Sequence, residues 1–437
     1  MSSSMLQAFL NAFKIPDLRQ KLIFTLVLLA IFRFIAHVPI PGVNLAALER
    51  LFDENQFVGF LDLFSGGALA SFSVAALGVY PYITASIIMQ LLVPVIPRLQ
   101  EMSKEGESGR NRINQFTHWL TVPLAAAQAY GTPQLLNATA PAGEPIITNF
   151  GFEVNPLGTL SIIITMTAGT MLLIWLGELI TQYGIGNGIS MIIFGGIVAR
   201  LPAQIFQAVV GGTGFVAFAI FIILGVITVA AIVFIYEGQR RIPVQVAKRI
   251  RGSRMVGGQS THIPLKVNSA GMIPLIFASS ILIFPGTVAG YFLGVENEWG
   301  RWIAESIYNF FNVQQSWGYW VLYFWLVVAF TFFYTLVIFQ QQNIAENLQK
   351  QGGFIPGIRP GRPTAEYLYK VLIRITLVGA LFLGIIAILP FLVRSATGVQ
   401  TLSLEATALL IVVGVGLDTM RQLESQLLMR HYRGFIK

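Results

Sequence analysis

The stretch FLDLFSGGALASFSVAALGVYPYITASIIMQ, Phe60 to Gln90, decides how this chain is built. Its second part is a continuous apolar run beginning near Ala75. Its first part, Phe60 to Phe72, carries Asp62, Ser65, Gly66, Gly67 and Ser71, with Ser73 just beyond. A lipid-facing helix would strand those polar groups in hydrocarbon, and non-helical backbone at membrane depth survives only inside protein or beside water. Residues 60–73 are therefore expected to form a re-entrant element on the outer side of a membrane, with an interfacial loop as the alternative.

The apolar run is one of ten, at about 21–40, 68–95, 116–135, 156–181, 187–206, 214–237, 269–292, 317–340, 371–393 and 402–422 when read with a window of about 19 residues. Of the 28 Lys and Arg residues, 23 fall in or at the edges of the terminal segments and alternate gaps. The other faces carry only Arg50, Arg200, Arg301 and Arg394, and Arg33 lies inside the first run. The positive-inside rule then puts both termini and the basic gaps in the cytoplasm. With 55% apolar and only 11% charged residues, the bilayer is the expected solvent for most of the chain. The net charge of +8 is read as orientation and contact with anionic lipid rather than nucleic-acid binding.

Several chemistries are missing. There is no cysteine, which removes disulfides, thiolate nucleophiles and Cys-ligated metals. No G-x-x-x-x-G-K occurs, so any energy source must come from outside. The four histidines, His37, His118, His262 and His431, stand apart and begin no H-E-x-x-H; no G-x-S-x-G is present. No cofactor or metal is expected, and the chain reads as not being an enzyme. A proton-coupled carrier would need intramembrane acids, but Glu178 and Asp418 sit near span ends and Asp62 lies in the broken element. Arg33 reads as a packing or snorkelling residue, with a substrate ligand as the alternative.

An internal echo points to duplication. Pro81-Tyr-Ile-Thr-Ala-Ser86 and Pro274-Leu-Ile-Phe-Ala-Ser279 coincide at four of six positions, and halves of five spans each would have opposite topology, with a path at their interface. Val79 and Ile83 are four apart, as are Ile189 and Ile193, so each pair shares a helix face. A ring of such side chains seals water out by dewetting, although packing or lipid contact is the plainer reading of the pairs alone. Gly184 to Gly188 joins two spans as a tight turn or, alternatively, a small-residue packing face. The basic loops 238–268 and 341–370, the second stiffened by Pro356, Pro360 and Pro363, are too long to be mere connectors.

Phe64-Ser-Gly-Gly-Ala-Leu69, Tyr80 to Gln90, Lys104-Glu-Gly-Glu-Ser-Gly-Arg110, Gly184-Ile-Gly-Asn-Gly-Ile-Ser190, Gln259 to Asn268 and Pro356-Gly-Ile-Arg-Pro-Gly361 resemble, in this order, the signature segments of the SecY family. The resemblance spans the whole chain. It implies an all-α polytopic membrane protein, with ten transmembrane helices in two inverted five-helix halves around an hourglass pore. The halves would be residues 1–206 and 207–437. It further implies a pore ring of Val79, Ile83, Ile189, Ile193, Ile276 and Ile411, and a plug containing Phe64, Ser65, Gly66, Gly67, Ala68 and Leu69. The lateral gate would lie between the second and third spans and the seventh and eighth, with Gln90, Thr121 and Asn268 as candidate cross-gate polar residues. Arg359, with Arg240, Arg241, Lys248, Arg249, Arg251 and Arg254, would dock a motor or ribosome.

The implied function is passive conduction of unfolded secretory polypeptides across the bacterial cytoplasmic membrane, with lateral release of hydrophobic helices into lipid. Implied partners are the small subunits SecE and SecG, the SecA ATPase, the ribosome, signal sequences and anionic lipid. A small-solute carrier, an intramembrane hydrolase and a structural scaffold are the rivals; the sequence supplies no compact polar site or activated serine for the first two.

Overall fold

The computed structural model describes residues 15–54, 62, 65–140, 145–210, 215–246, 249–251, 254–256, 260–292, 297–312, 317–397 and 405–433. Phe64 and Lys248 lie outside these residues, as do the side chains of Arg249, Arg251 and Arg254.

A helix falls in each of the ten expected apolar segments, although the one in 68–95 is only 13 residues long and leaves 68–79 non-helical. These helices are α1 (Pro16–Ile35), α3 (Tyr80–Leu92), α5 (Glu107–Thr139), α6 (Pro156–Tyr183), α7 (Gly188–Val210), α8 (Phe215–Glu237), α9 (Ile273–Tyr291), α11 (Trp317–Gln342), α13 (Arg362–Thr397) and α14 (Glu405–Arg433). Further helices α2 (Leu45–Glu54), α4 (Pro97–Lys104), α10 (Glu298–Asn312) and α12 (Ile344–Lys350) lie between them. Proline sets several starts: Pro16, Pro81, Pro156 and Pro274 occupy first-turn positions, where a missing N–H costs nothing and φ is already helical. At α6 the cap is completed by Asn155, whose Oδ1 accepts from the Gly158 amide at 3.0 Å.

Among the described residues, four helical runs are long and apolar enough to cross a membrane: Pro156–Tyr183, Ile273–Tyr291, Trp317–Lys350 and Arg362–Leu389. Helices α3 and α4, bent by 99°, make a fifth if they count as one span. The protein is a multi-pass membrane protein on this count, but the expected ten are not all self-evident spans. Helix α1 carries Asp17, Arg19, Lys21 and Arg33, and α5 begins with a charged turn and contains Pro123 and Pro133.

The helices pack around one large apolar cluster. It draws on α1, α3, α5, α6, α7, α8, α9, α10, α11, α13 and α14. Helices α3 and α5 both pack on α9, while α7 packs on α14. A second cluster, with Leu48, Leu51, Leu69, Phe72, Leu136, Ile146 and Met166, closes the end of the bundle where α1 finishes.

The opposite end adds short strands to the otherwise helical fold, which the all-α expectation did not include. Strand β1 (Gln239–Val246) pairs antiparallel with β4 (Ser260–Lys266) and with β5 (Gly353–Phe354), while β2 (Arg249–Arg251) pairs with β3 (Arg254–Val256). Period-two alternation explains β1: Ile242 and Val244 are buried, whereas Arg241, Pro243 and Gln245 are exposed. Ile242 and Val244 pack with Leu265, Ile355, Leu368 and Val371. The register Gln245↔Phe354 and Val246↔Gly353 fuses the two long basic loops into one small body.

Candidate functional site

Helices α3 and α9 place Ile83 and Ile276 alike. Each begins one residue before a proline, so each isoleucine is the fourth residue of its helix. Val79 is the residue preceding α3, Ile189 and Ile193 occupy the first turns of α7, and Ile411 lies on α14. Val79, Ile83, Ile193, Ile276 and Ile411 are buried in the central cluster, and half-buried Ile189 packs against it. Six residues from four chain regions thus lie in, or pack against, one apolar cluster. Such a cluster offers no charge or fixed hydrogen bond to a passing chain, and it excludes water.

The 65–73 stretch contributes to this cluster and to its neighbour. Ala68 belongs to the same cluster as the six residues, while Leu69 and Phe72 belong to the neighbouring one. Gly66 and Gly67 adopt φ of +69° and +91°, a region that side chains disfavour. Gly66 rests against the Phe32 ring and against the backbone of Gly196 on α7. The segment is fastened to the residues that follow α1: Ser71 Oγ donates to Ala36 O at 2.7 Å, Ile40 N donates to Phe72 O, and Val74 N donates to Val38 O.

Charge holds the same segment. Asp62 is fully buried. Its Oδ1 accepts from Ser65 Oγ at 2.8 Å, Leu69 N at 2.9 Å and Ala70 N at 3.0 Å, and its Oδ2 pairs with the Arg200 guanidinium of α7. Arg33 Nη1 donates to Gly66 O at 2.7 Å. Sequence reasoning gave neither arginine this partner, because a pairing between distant segments leaves no local periodicity or spacing.

The seam between α3, α5 and α9 is mostly apolar. Gln90 Nε2 donates to Ser86 Oγ at 3.1 Å, Thr121 Oγ1 to Thr117 O at 2.7 Å, and Asn268 Nδ2 to Gly271 O at 3.0 Å. All three bonds stay within their own segments. A bond that does cross runs from Tyr80 Oη on α3 to Ser280 O on α9 at 3.2 Å. Nearby, Gln128, Thr132, Thr287 and Tyr291 line a cavity of about 30 Å³ together with Leu69 and Tyr80.

At the sheet end, Arg240, Arg241 and Arg359 are exposed. Arg359 sits in the turn between β5 and α13, where Thr364 Oγ1 donates to its carbonyl at 2.8 Å. Arg421 of α14 donates to Tyr236 O at 2.7 Å and to Glu237 Oε1 at 2.8 Å, closing α8 against α14. A polar cavity of about 400 Å³ opens beside it, lined by residues including Asn187, Ser190, Lys266, Asn268 and Asp418. Burial, and then the Arg421 charge, hold the Lys266 ammonium below its ordinary pKa.

The family model described as SecY matches residues 73–420. The "Protein translocase subunit SecY" of Streptomyces scabiei is 46% identical over 446 residues, covering 99% of this chain and all of that protein. A solved structure concerning the plug domain of SecY, said to stabilise the closed state of the translocation channel and maintain a membrane seal, superposes with TM-score 0.61 at 19% identity, covering 93% of this chain and 92% of its own. Sec61 in the canine ribosome-channel complex from the endoplasmic reticulum does so with TM-score 0.60 at 17% identity and the same coverage. Those two likenesses carry the fold, and the curated relative and the family model carry the kinship: this chain belongs to the SecY family of protein translocase subunits.

Proposed function

We propose that this chain is the passive conduit of a protein translocase, passing unfolded secretory polypeptides through its centre and releasing hydrophobic helices sideways into lipid. The gathering of Val79, Ile83, Ile189, Ile193, Ile276 and Ile411 in and against one apolar cluster, which also holds Ala68 of the 62–73 segment, supports this reading, with the six side chains read as one layer of it. The layer is the pore ring and the segment is its plug, kept shut by burial and released when a signal sequence favours the open state. The full architecture is ten spans in two inverted halves, residues 1–206 and 207–437. The shared placement of Ile83 and Ile276 supports that symmetry.

The plug end faces outward and the sheet end faces the cytoplasm of a bacterial cell, with both termini on the cytoplasmic side. Arg359, Arg240 and Arg241, together with Lys248, Arg249, Arg251 and Arg254, form the docking face for a SecA-type motor or the ribosome, a role supported by the pairing of β5 with β1. Small membrane subunits of the SecE and SecG type cover part of the lipid-facing surface. The lateral gate is the seam of α3 and α5 against α9 and α11, with Gln90, Thr121 and Asn268 easing its opening once their local bonds exchange.

The absence of native cysteine gives a direct test. A cysteine at Ile83 should form a disulfide with one placed midway along an arrested secretory chain, only when motor, ATP and signal sequence are all present. Failure at Ile83, with cysteines at the outer rim still reacting, would move the path off this centre and revive a small-solute carrier.

A further inference from the structure

The reading of 62–73 as a plug explains why the segment is apolar toward the ring, but not why a carboxylate is buried within it. Asp62 faces two tasks at once. One oxygen takes the amides of Leu69 and Ala70 and the Ser65 hydroxyl, folding the segment into its turn. The other meets Arg200 of α7, while Arg33 of α1, close to Arg200 beside Gly67, holds the Gly66 carbonyl. Outward movement of the plug must break both contacts.

We infer that Asp62, Arg200 and Arg33 form an ionic latch that sets the closed-to-open equilibrium of the channel, with Arg200 and Arg33 acting as positioning residues for the plug. The latch is asymmetric. Asp62 has no exposure, whereas the Arg200 side chain is 32% exposed. Losing Arg200 strips a buried carboxylate of its direct ion pair and leaves only Arg33 nearby, bonded to the Gly66 carbonyl, a state that favours exit of the plug. Losing the charge on Asp62 leaves an arginine that reaches water, and an asparagine there still accepts from the Leu69 and Ala70 amides.

A double-mutant cycle tests this, and the inference rests on the plug reading above. The full chain, reconstituted in liposomes with its partner subunits, is assayed for resting ion leak and for translocation of a substrate with a defective signal sequence. Arg200→Gln should raise the open fraction roughly a hundredfold, Arg200→Lys should stay tight, and Asp62→Asn should leak little. The decisive prediction is rescue: Asp62→Asn/Arg200→Gln should be tighter than Arg200→Gln alone, since both charges are then gone. Additive damage in the double variant, or an Arg200→Gln channel as tight as wild type, overturns the latch. Deletion of residues 62–72 separates the two readings. A leaky deletion with tight point variants defeats only the latch, whereas a tight deletion defeats the plug and the latch with it.

Discussion

The two ends of the bundle use arginine in opposite ways. At the plug end Arg200 meets a fully buried aspartate and Arg33 meets a backbone carbonyl; at the sheet end Arg240, Arg241 and Arg359 stand in water on a small rigid body. A buried charge that loses its partner is severely penalised, so the plug-end arginines act on the protein's own equilibrium. An exposed charge contributes little to stability, but governs the encounter and register of a partner. On the roles proposed above, one residue type would serve gating at one end and recognition at the other.

The largest expected effect tests the recognition side. Arg359→Glu should cut motor-driven translocation by about two orders of magnitude or more, because like charges juxtaposed at an interface cost several kcal/mol. The thermal unfolding midpoint should not move, since the side chain is exposed. Normal ATP-driven import into vesicles by this variant would remove Arg359 from the docking face. The next effect tests the gating side through shape rather than charge. A Cβ at Gly196 would run into the backbone of Gly66, and overpacking of this kind costs about 1–3 kcal/mol. Gly196→Val should accordingly raise resting ion leak by about tenfold while leaving motor binding unchanged; a tight channel would show that the plug does not depend on this close approach.

What the sequence disclosed follows the range of the interactions. The broken element at 60–73 is legible because glycine, serine and aspartate interrupt an apolar run locally, and Gly184 to Gly188 reads as the turn it is because it lies at a span boundary. Ile83 and Ile276 are legible because a proline two residues earlier fixes both in the same helical position. The β1–β5 pairing is not, since β5 is two residues long and lies in a different loop. Nor is the Asp62–Arg200 pair, which depends on how α7 packs. Polarity inside a span also misleads: Thr121 bonds the carbonyl four residues earlier, which any helical threonine does, whereas Tyr80, whose aromatic body reads as core, crosses to Ser280.

A smaller effect sharpens the recognition side. Arg240→Ala/Arg241→Ala removes two exposed charges from β1 without touching Ile242 or Val244, which fill the sheet's core. Affinity for the docking partner should fall by roughly threefold to tenfold at low salt, mainly through association rate, and the loss should shrink as ionic strength rises. A salt-independent loss would mean that the sheet had been damaged.

The smallest effect completes the contrast. Arg301 and Glu305 on α10 form an ion pair at 2.7 Å whose side chains are 63% and 44% exposed. Chemically it is the same arginine–carboxylate contact as Arg200–Asp62; physically it lies in high dielectric, screened by salt, on one face of a single helix. Such an i,i+4 pair is worth about 0.3–0.5 kcal/mol, and a freed Glu305 keeps its hydration. Arg301→Ala should therefore leave resting leak and signal-sequence dependence at wild-type levels and change unfolding free energy by no more than about 0.5 kcal/mol. If it leaked as Arg200→Gln is expected to, burial would not be what separates a latch from a surface pair, and the ordering of every effect above would lose its physical basis.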